Sequence, residues 1–106
     1  MILPKPIADL VDAHNKFGSI TFSDSLAENA VVFDSGKTYR GKKEITQWTA
    51  TFNNEHKTFL KPVEIATINN RIILKVKVLG IFKGSPKTRT YNLGINEDKI
   101  TSLIAE

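Results

Sequence analysis

Apolar residues recur along this chain at two different spacings, and the change between them divides it. Ile7, Leu10, Val11, His14 and Phe17 follow at intervals of three and four, the stripe of an amphipathic helix. Pro6 suits the first turn of that helix, where a missing N–H costs nothing, and Gly18 suits its end. Ser19 can cap a second, short helix carrying Ile20, Phe22 and Leu26. Ala30 to Asp34 then reads as a strand, Ser35-Gly36-Lys37 as a turn, and Thr38 to Arg40 as a short partner strand. Lys42 opens a third helix after Gly41, with Ile45, Trp48, Phe52 and His56 on one face. Its threonines and asparagines are mediocre helix formers, so packing has to hold it.

After Lys57 the spacing becomes two. Phe59 to Ile68 is a strand with Pro62 near its start, and Asn69-Asn70 is a hairpin turn. Arg71 to Lys83 reads as the longest strand. Ile72, Leu74, Val76 and Val78 share one face of it, and Ile73, Lys75, Lys77 and Leu79 the other, which the lysines mark as wet. Gly80 predicts a bulge. Beyond Gly84-Ser85-Pro86, the residues Arg89, Tyr91, Leu93 and Ile95 alternate with Thr88, Thr90, Asn92 and Gly94. Asn96-Glu97-Asp98 turns the chain into a last strand, Ile100 to Ile104. Helices followed by a run of strands indicate an α+β layered fold with the helices on one face.

The length of 106 residues fits one domain, spanning 1–106, and is enough for one core without staples. There is no cysteine, which removes disulfides and thiol chemistry and fits a reducing compartment. No leader-like segment opens the chain and no apolar run spans a bilayer, so a cytoplasmic protein without a membrane partner is expected. The net charge of +4 comes from scattered lysines, with no basic helix or basic-aromatic motif, and a nucleic-acid partner is not expected. Two distant histidines without clustered carboxylates make a poor metal set, and no phosphate loop or nucleophile elbow is present. Neither a metal nor a cofactor is expected.

Several short pieces, in this order, resemble a known family. They are Leu3-Pro4 before the first helix, Leu26 to Asp34, Thr38-Tyr39-Arg40-Gly41 followed by Ile45 and Trp48, and Phe82 to Pro86 before an alternating strand. Together they resemble the nuclear transport factor 2-like superfamily, in particular its small bacterial SnoaL-like members. The resemblance covers nearly the whole chain. It implies a cone: three N-terminal helices packed in the concave face of a strongly bent, mixed or antiparallel sheet, with an apolar pocket at one end. It also implies a small apolar ligand, and a homodimer, for which the face bearing Ile73, Leu79, Ile81, Lys75 and Lys77 is suited. The family includes cyclases, isomerases, dehydratases and proteins without catalysis, so the fold does not name a reaction.

Asp34 matches the position of the general-base aspartate of the ketosteroid isomerases that this chain resembles. Beside an apolar pocket a carboxylate suits proton abstraction next to a carbonyl; the bland role is to cap its turn. The hydrogen-bond donors those isomerases use fall here on Leu10 and Thr90, and leucine cannot donate, which disfavours steroid-isomerase chemistry. His14 lies on the apolar stripe, where it is either an acid–base partner or a packed histidine. Phe33, Tyr39, Trp48, Phe52 and Tyr91 are candidate pocket-lining aromatics, and aromatics at such spacings are core residues more often than ligand contacts. The expected function is binding of a small apolar molecule, with cofactor-free acid–base catalysis by Asp34 and His14 as one outcome. A non-catalytic ligand-binding or protein-interaction module is the other.

Overall fold

The structure is a computed structural model that describes residues 2–16, 24–81 and 83–106, and the side chains of all of these except 52–56. Helix α1 is Lys5–Asn15, strand β1 Leu26–Asp34, β2 Lys37–Arg40 and helix α2 Gly41–His56. Strands β3 Phe59–Ile68, β4 Arg71–Leu79, β5 Lys87–Asn96 and β6 Lys99–Ala105 complete it. All six strands form one sheet in the order β2-β1-β6-β5-β4-β3. Four of its five pairings are antiparallel; β1 and β6 run parallel, so the sheet is mixed.

Hairpin chemistry sets the register. Ser35-Gly36, Asn69-Asn70 and Glu97-Asp98 each have positive φ at both residues, the backbone of a two-residue hairpin turn. They join β1 to β2, β3 to β4 and β5 to β6. Register shifts fall between Pro62 and Glu64 on β3 and between Gly94 and Ile95 on β5. Pro62 cannot donate to the ladder, and as β3 is an edge strand the irregularity there costs little.

The inward faces of the strands meet the stripes of the two helices. Ile7 and Leu10 of α1, Ile45 of α2, Leu74 of β4, Leu93 of β5 and Ile100 of β6 are almost wholly removed from solvent. Each such side chain contributes roughly 1.5–3 kcal/mol by burial. Asn15, at the end of α1, fastens that helix to the sheet edge. Its Nδ2 donates to the Leu60 carbonyl at 2.9 Å, and its Oδ1 accepts from the Leu60 N–H at 2.7 Å. Among the described residues no helix is long and apolar enough to cross a membrane.

Three expectations change. Two helices, not three, are described; the second expected helix falls mostly on residues 17–23, outside the described residues together with Phe17 and Gly18. Leu26 opens β1 instead of ending that helix, because its side chain is needed in the core. Gly80 carries no bulge: β4 stops at Leu79, and the Gly80 N–H donates to Ser85 Oγ across the following bend. The strands from β3 to β6 form an antiparallel meander, and β6 then pairs parallel with β1, which joins the first hairpin to it.

Candidate functional site

Strand parity decides which side chains reach the concave side. In β1, Val32 and Asp34 point into the fold and Phe33 points out, leaving Asp34 6% exposed and Phe33 44%. Asp34 pairs with Ala105 of β6, and Ala105 pairs in turn with Tyr91 of β5. Arg89 lies two residues before Tyr91, on the same face. Its Nη2 donates to Asp34 Oδ1 at 2.6 Å, forming an ion pair in which both side chains are largely buried. The Ser35 hydroxyl donates to the same oxygen at 3.1 Å. Desolvation works against the Arg89 charge most strongly, but the hydrogen bond to Asp34 and the charge interactions with Tyr91 and Asp34 together outweigh it and hold the guanidinium above its ordinary pKa.

On one side of this pair lies an open cleft of about 530 Å³, lined by Asp34, Lys37, Tyr39, Glu44, Gln47 and Trp48 among others. Tyr39 and Trp48 form its aromatic wall, with ring centroids 5.5 Å apart and planes tilted by 30°. The cleft exists because β2 leads directly into α2, which brings Tyr39 and Trp48 together. Glu44 steadies that junction by accepting the Arg40 N–H at 3.1 Å, beside the first turn of the helix.

On the other side is a small interior cavity of about 20 Å³. Leu10, His14, Trp48, Thr49, Arg89 and Tyr91 are among its lining residues. Its polar groups are held neutral apart from Arg89. Burial lowers the His14 pKa to about 4, and the His14 Nε2 makes a 2.8 Å hydrogen bond with Thr58 Oγ1. Burial likewise pushes the Tyr91 hydroxyl up to about 12, against the opposing effect of Arg89, whose guanidinium carbon lies 5.9 Å from the Tyr91 ring centroid. Trp48 belongs to both spaces, and Asp34 of the cleft is bonded to Arg89 of the cavity. One indole and one ion pair therefore connect the two spaces.

Asp34, Tyr39 and Trp48 thus gather at the cleft, and His14, Tyr91 and again Trp48 at the cavity. Phe33 joins neither, because adjacent residues of a strand face opposite sides. The Phe52 and His56 side chains lie outside the described residues. Arg89 is the residue that sequence reasoning passed over. Its signal was present: an arginine in register with Tyr91, Leu93 and Ile95 is a cation on an apolar face, and such a charge needs a partner. Thr49, buried one position beyond Trp48, was read only as a mediocre helix former.

No protein-family model matches the chain, and no curated protein matches it in sequence. Its likeness is to solved structures. A candidate polyketide cyclase from Sinorhizobium meliloti superposes with a TM-score of 0.93 at 28% identity, over 98% of this chain and 95% of that one. A Catenulispora acidiphila protein with a ketosteroid isomerase-like fold, solved in complex with trimethylamine, gives 0.87 at 16% identity, over 99% and 86%. An uncharacterised cystatin-fold protein from Novosphingobium aromaticivorans gives 0.80 at 13% identity, over 100% and 98%.

Proposed function

The chain belongs to the nuclear transport factor 2-like, SnoaL-like superfamily, and from that premise we propose that it binds a small, largely apolar molecule against Tyr39 and Trp48 and performs cofactor-free acid–base chemistry on it. Cyclisation, isomerisation and dehydration are the reaction classes such chemistry covers. The observation that carries this reading is the buried Asp34–Arg89 pair at the junction of cleft and cavity. A buried ion pair adds little stability over a well-packed apolar pair, so its presence in a pocket wall favours a role in function. Asp34 borders the cleft as the base, and Arg89 holds it in place and faces any negative charge that develops beside it.

One feature supports the non-catalytic alternative. Asp34 Oδ1 already accepts from both Arg89 and Ser35, so proton abstraction by that oxygen would have to break a hydrogen bond. The two readings separate in a single experiment. Enolisable cyclic ketones are incubated with the protein in D₂O, and exchange at the carbon next to the carbonyl is followed by NMR. Catalysis predicts exchange that Asp34→Asn slows by about 10²-fold or more. Binding of the same ketones without exchange makes the protein a carrier.

A second copy of the chain is the partner proposed for the outer sheet face. Phe33, Leu79 and Ile81 are exposed there or at its margin, and a dimer of standard size would cover about 800 Å² on each copy. Light scattering of the native chain and of Phe33→Lys tests this: the native protein should run as a dimer and the variant as a monomer.

A further inference from the structure

Thr49 presents a problem that the cleft does not solve. It is 3% exposed, and its Oγ1 is the one buried side-chain polar atom, among the described residues, that has no hydrogen-bond partner. A threonine inside a helix can return its hydroxyl to the carbonyl three or four residues back; this one does not. Leaving a hydroxyl unpaired in an apolar interior is costly enough that native proteins seldom do it. Thr49 lines the interior cavity, and so do Arg89 and Tyr91. The Arg89 guanidinium carries five N–H donors, of which one bonds Asp34. The remaining walls include Leu10, Leu60 and Leu103. At about 20 Å³ the space suits one water-sized atom group, since about 10–15 Å³ is sufficient for a water, and it is far too small for a ring.

We propose that this cavity is a single-oxygen site bounded by Thr49, Arg89 and Tyr91: water occupies it in the free protein, and a hydroxyl or carbonyl oxygen of the bound molecule takes the water's place. The second half rests on the reading of the cleft as the ligand site. The geometry links the two, because Trp48 lines both and Asp34 of the cleft is bonded to Arg89 of the cavity. A ring stacked along Tyr39 and Trp48 would reach the cavity with one substituent. The ligand class is therefore a cyclic, mostly apolar molecule with an oxygen at its edge, and Thr49 selects for that oxygen. Neutral His14 leaves Arg89 as the charged group of the cavity, which favours an electron-rich oxygen over an amine.

Two measurements on the full chain test the halves separately. The first compares thermal unfolding of the native protein with Thr49→Val. If Oγ1 is bonded to water, valine removes that bond and Tm falls by about 4 °C or more; if Oγ1 is partnerless, valine relieves it and Tm rises, which overturns the site. The second titrates phenol and toluene, nearly equal in shape, and reads the fluorescence of Trp48, the only tryptophan of the chain. Phenol should bind at least tenfold more tightly, and Thr49→Val should reduce that preference to less than threefold while Thr49→Ser retains it. Equal affinities, or a preference unchanged in Thr49→Val, would sink the oxygen site for ligands. If neither compound perturbs Trp48, the ligand half falls together with the cleft reading, and the melting comparison still decides the water half.

Discussion

Asp34 on β1 and Arg89 on β5 form a 2.6 Å ion pair although the whole of β6 runs between their strands. Neighbouring strands lie about 4.8 Å apart, so this pair bridges roughly twice that spacing. Two features make the reach feasible. Arg89 has the long side chain, and Ala105, in register with Asp34 on one side and with Tyr91 on the other, has a very short one. The site is thus a relation among three strands.

Removing either partner leaves a buried charge uncompensated, so Asp34→Asn and Arg89→Met should each destabilise the fold by about 3–5 kcal/mol. The double variant should recover most of that loss. Urea unfolding of the four proteins gives the coupling energy; strictly additive losses would mean the two side chains do not depend on each other.

Ala105→Leu should act on the same pair from a distance. The larger side chain would stand between Asp34 and Tyr91 on the inner face and should cost about 1–3 kcal/mol from overpacking. The diagnostic result is that the Asp34–Arg89 coupling, measured again with Ala105→Leu present in all four proteins, drops by more than half. Retention of the full coupling would show that the guanidinium takes another route.

His14 predicts an acid-side loss of stability. The unfolded chain takes up a proton near pH 6.5, whereas the buried imidazole resists protonation until about pH 4. Between those values the unfolded state binds more protons, so stability is complete above about pH 6.5 and declines as pH falls toward 4. The loss over that interval is about 3 kcal/mol. Carboxylates also titrate there, so the measurement is the difference between the native protein and His14→Leu. The variant should lack this part of the slope, whatever its absolute stability.

Asn15 should tolerate no replacement, because it pairs with both the N–H and the C=O of Leu60. Asn15→Ala should cost about 1–3 kcal/mol. Asn15→Asp keeps an acceptor for the Leu60 N–H but offers no donor to its carbonyl, and its stability should fall between those of Asn15→Ala and the native protein. Hydrogen exchange at Leu60 reports the change directly, and an unaltered rate in Asn15→Ala would refute the clamp.

On the outer face, Gly94 leaves room for Arg71 to lie across β5. Arg71 bonds Asn92 through Nε and Ser102 Oγ through Nη2, the latter at 2.9 Å. A Cβ on Gly94 would stand 2.8 Å from Ser102 Oγ and 3.0 Å from Arg71 Nη1. Gly94→Ala should therefore cost about 1 kcal/mol or more by displacing that guanidinium. In an Arg71→Ala background the penalty should shrink, and ligand binding in the distant cleft should be unaffected in both.

Much of this arrangement is legible in the sequence, and the gaps have physical causes. The stripe Ile7, Leu10, Val11 and His14 and the alternation through Tyr91, Leu93 and Ile95 are periodic signals read along one segment, and the burial of these residues follows them. The start of β1 was hidden because Glu28 and Asn29 are poor strand formers and its pairing with β6 shifts register between Leu26 and Val31. Naming Phe33 and Asp34 to one pocket overlooked the period of two that places them on opposite faces. The Asp34–Arg89 pair was unreadable for a deeper reason: it depends on β6 inserting between β1 and β5, and no local pattern encodes which strands become neighbours.

That insertion also bears on how the chain is made. Of the six strands β6 comes last in sequence, yet it is needed at the middle of the sheet, hydrogen-bonded to β1 on one side and β5 on the other. Until it arrives, β1 with β2 and the β3-β4-β5 group are two pieces with exposed inner edges, and Asp34 and Arg89 have no scaffold that brings them together. Closing so long a loop makes the sheet slow to complete and leaves those edges open to other chains during synthesis. The pocket is therefore completed only when β6 is in place, and a chain lacking β6 would keep most of its core residues and lose the site.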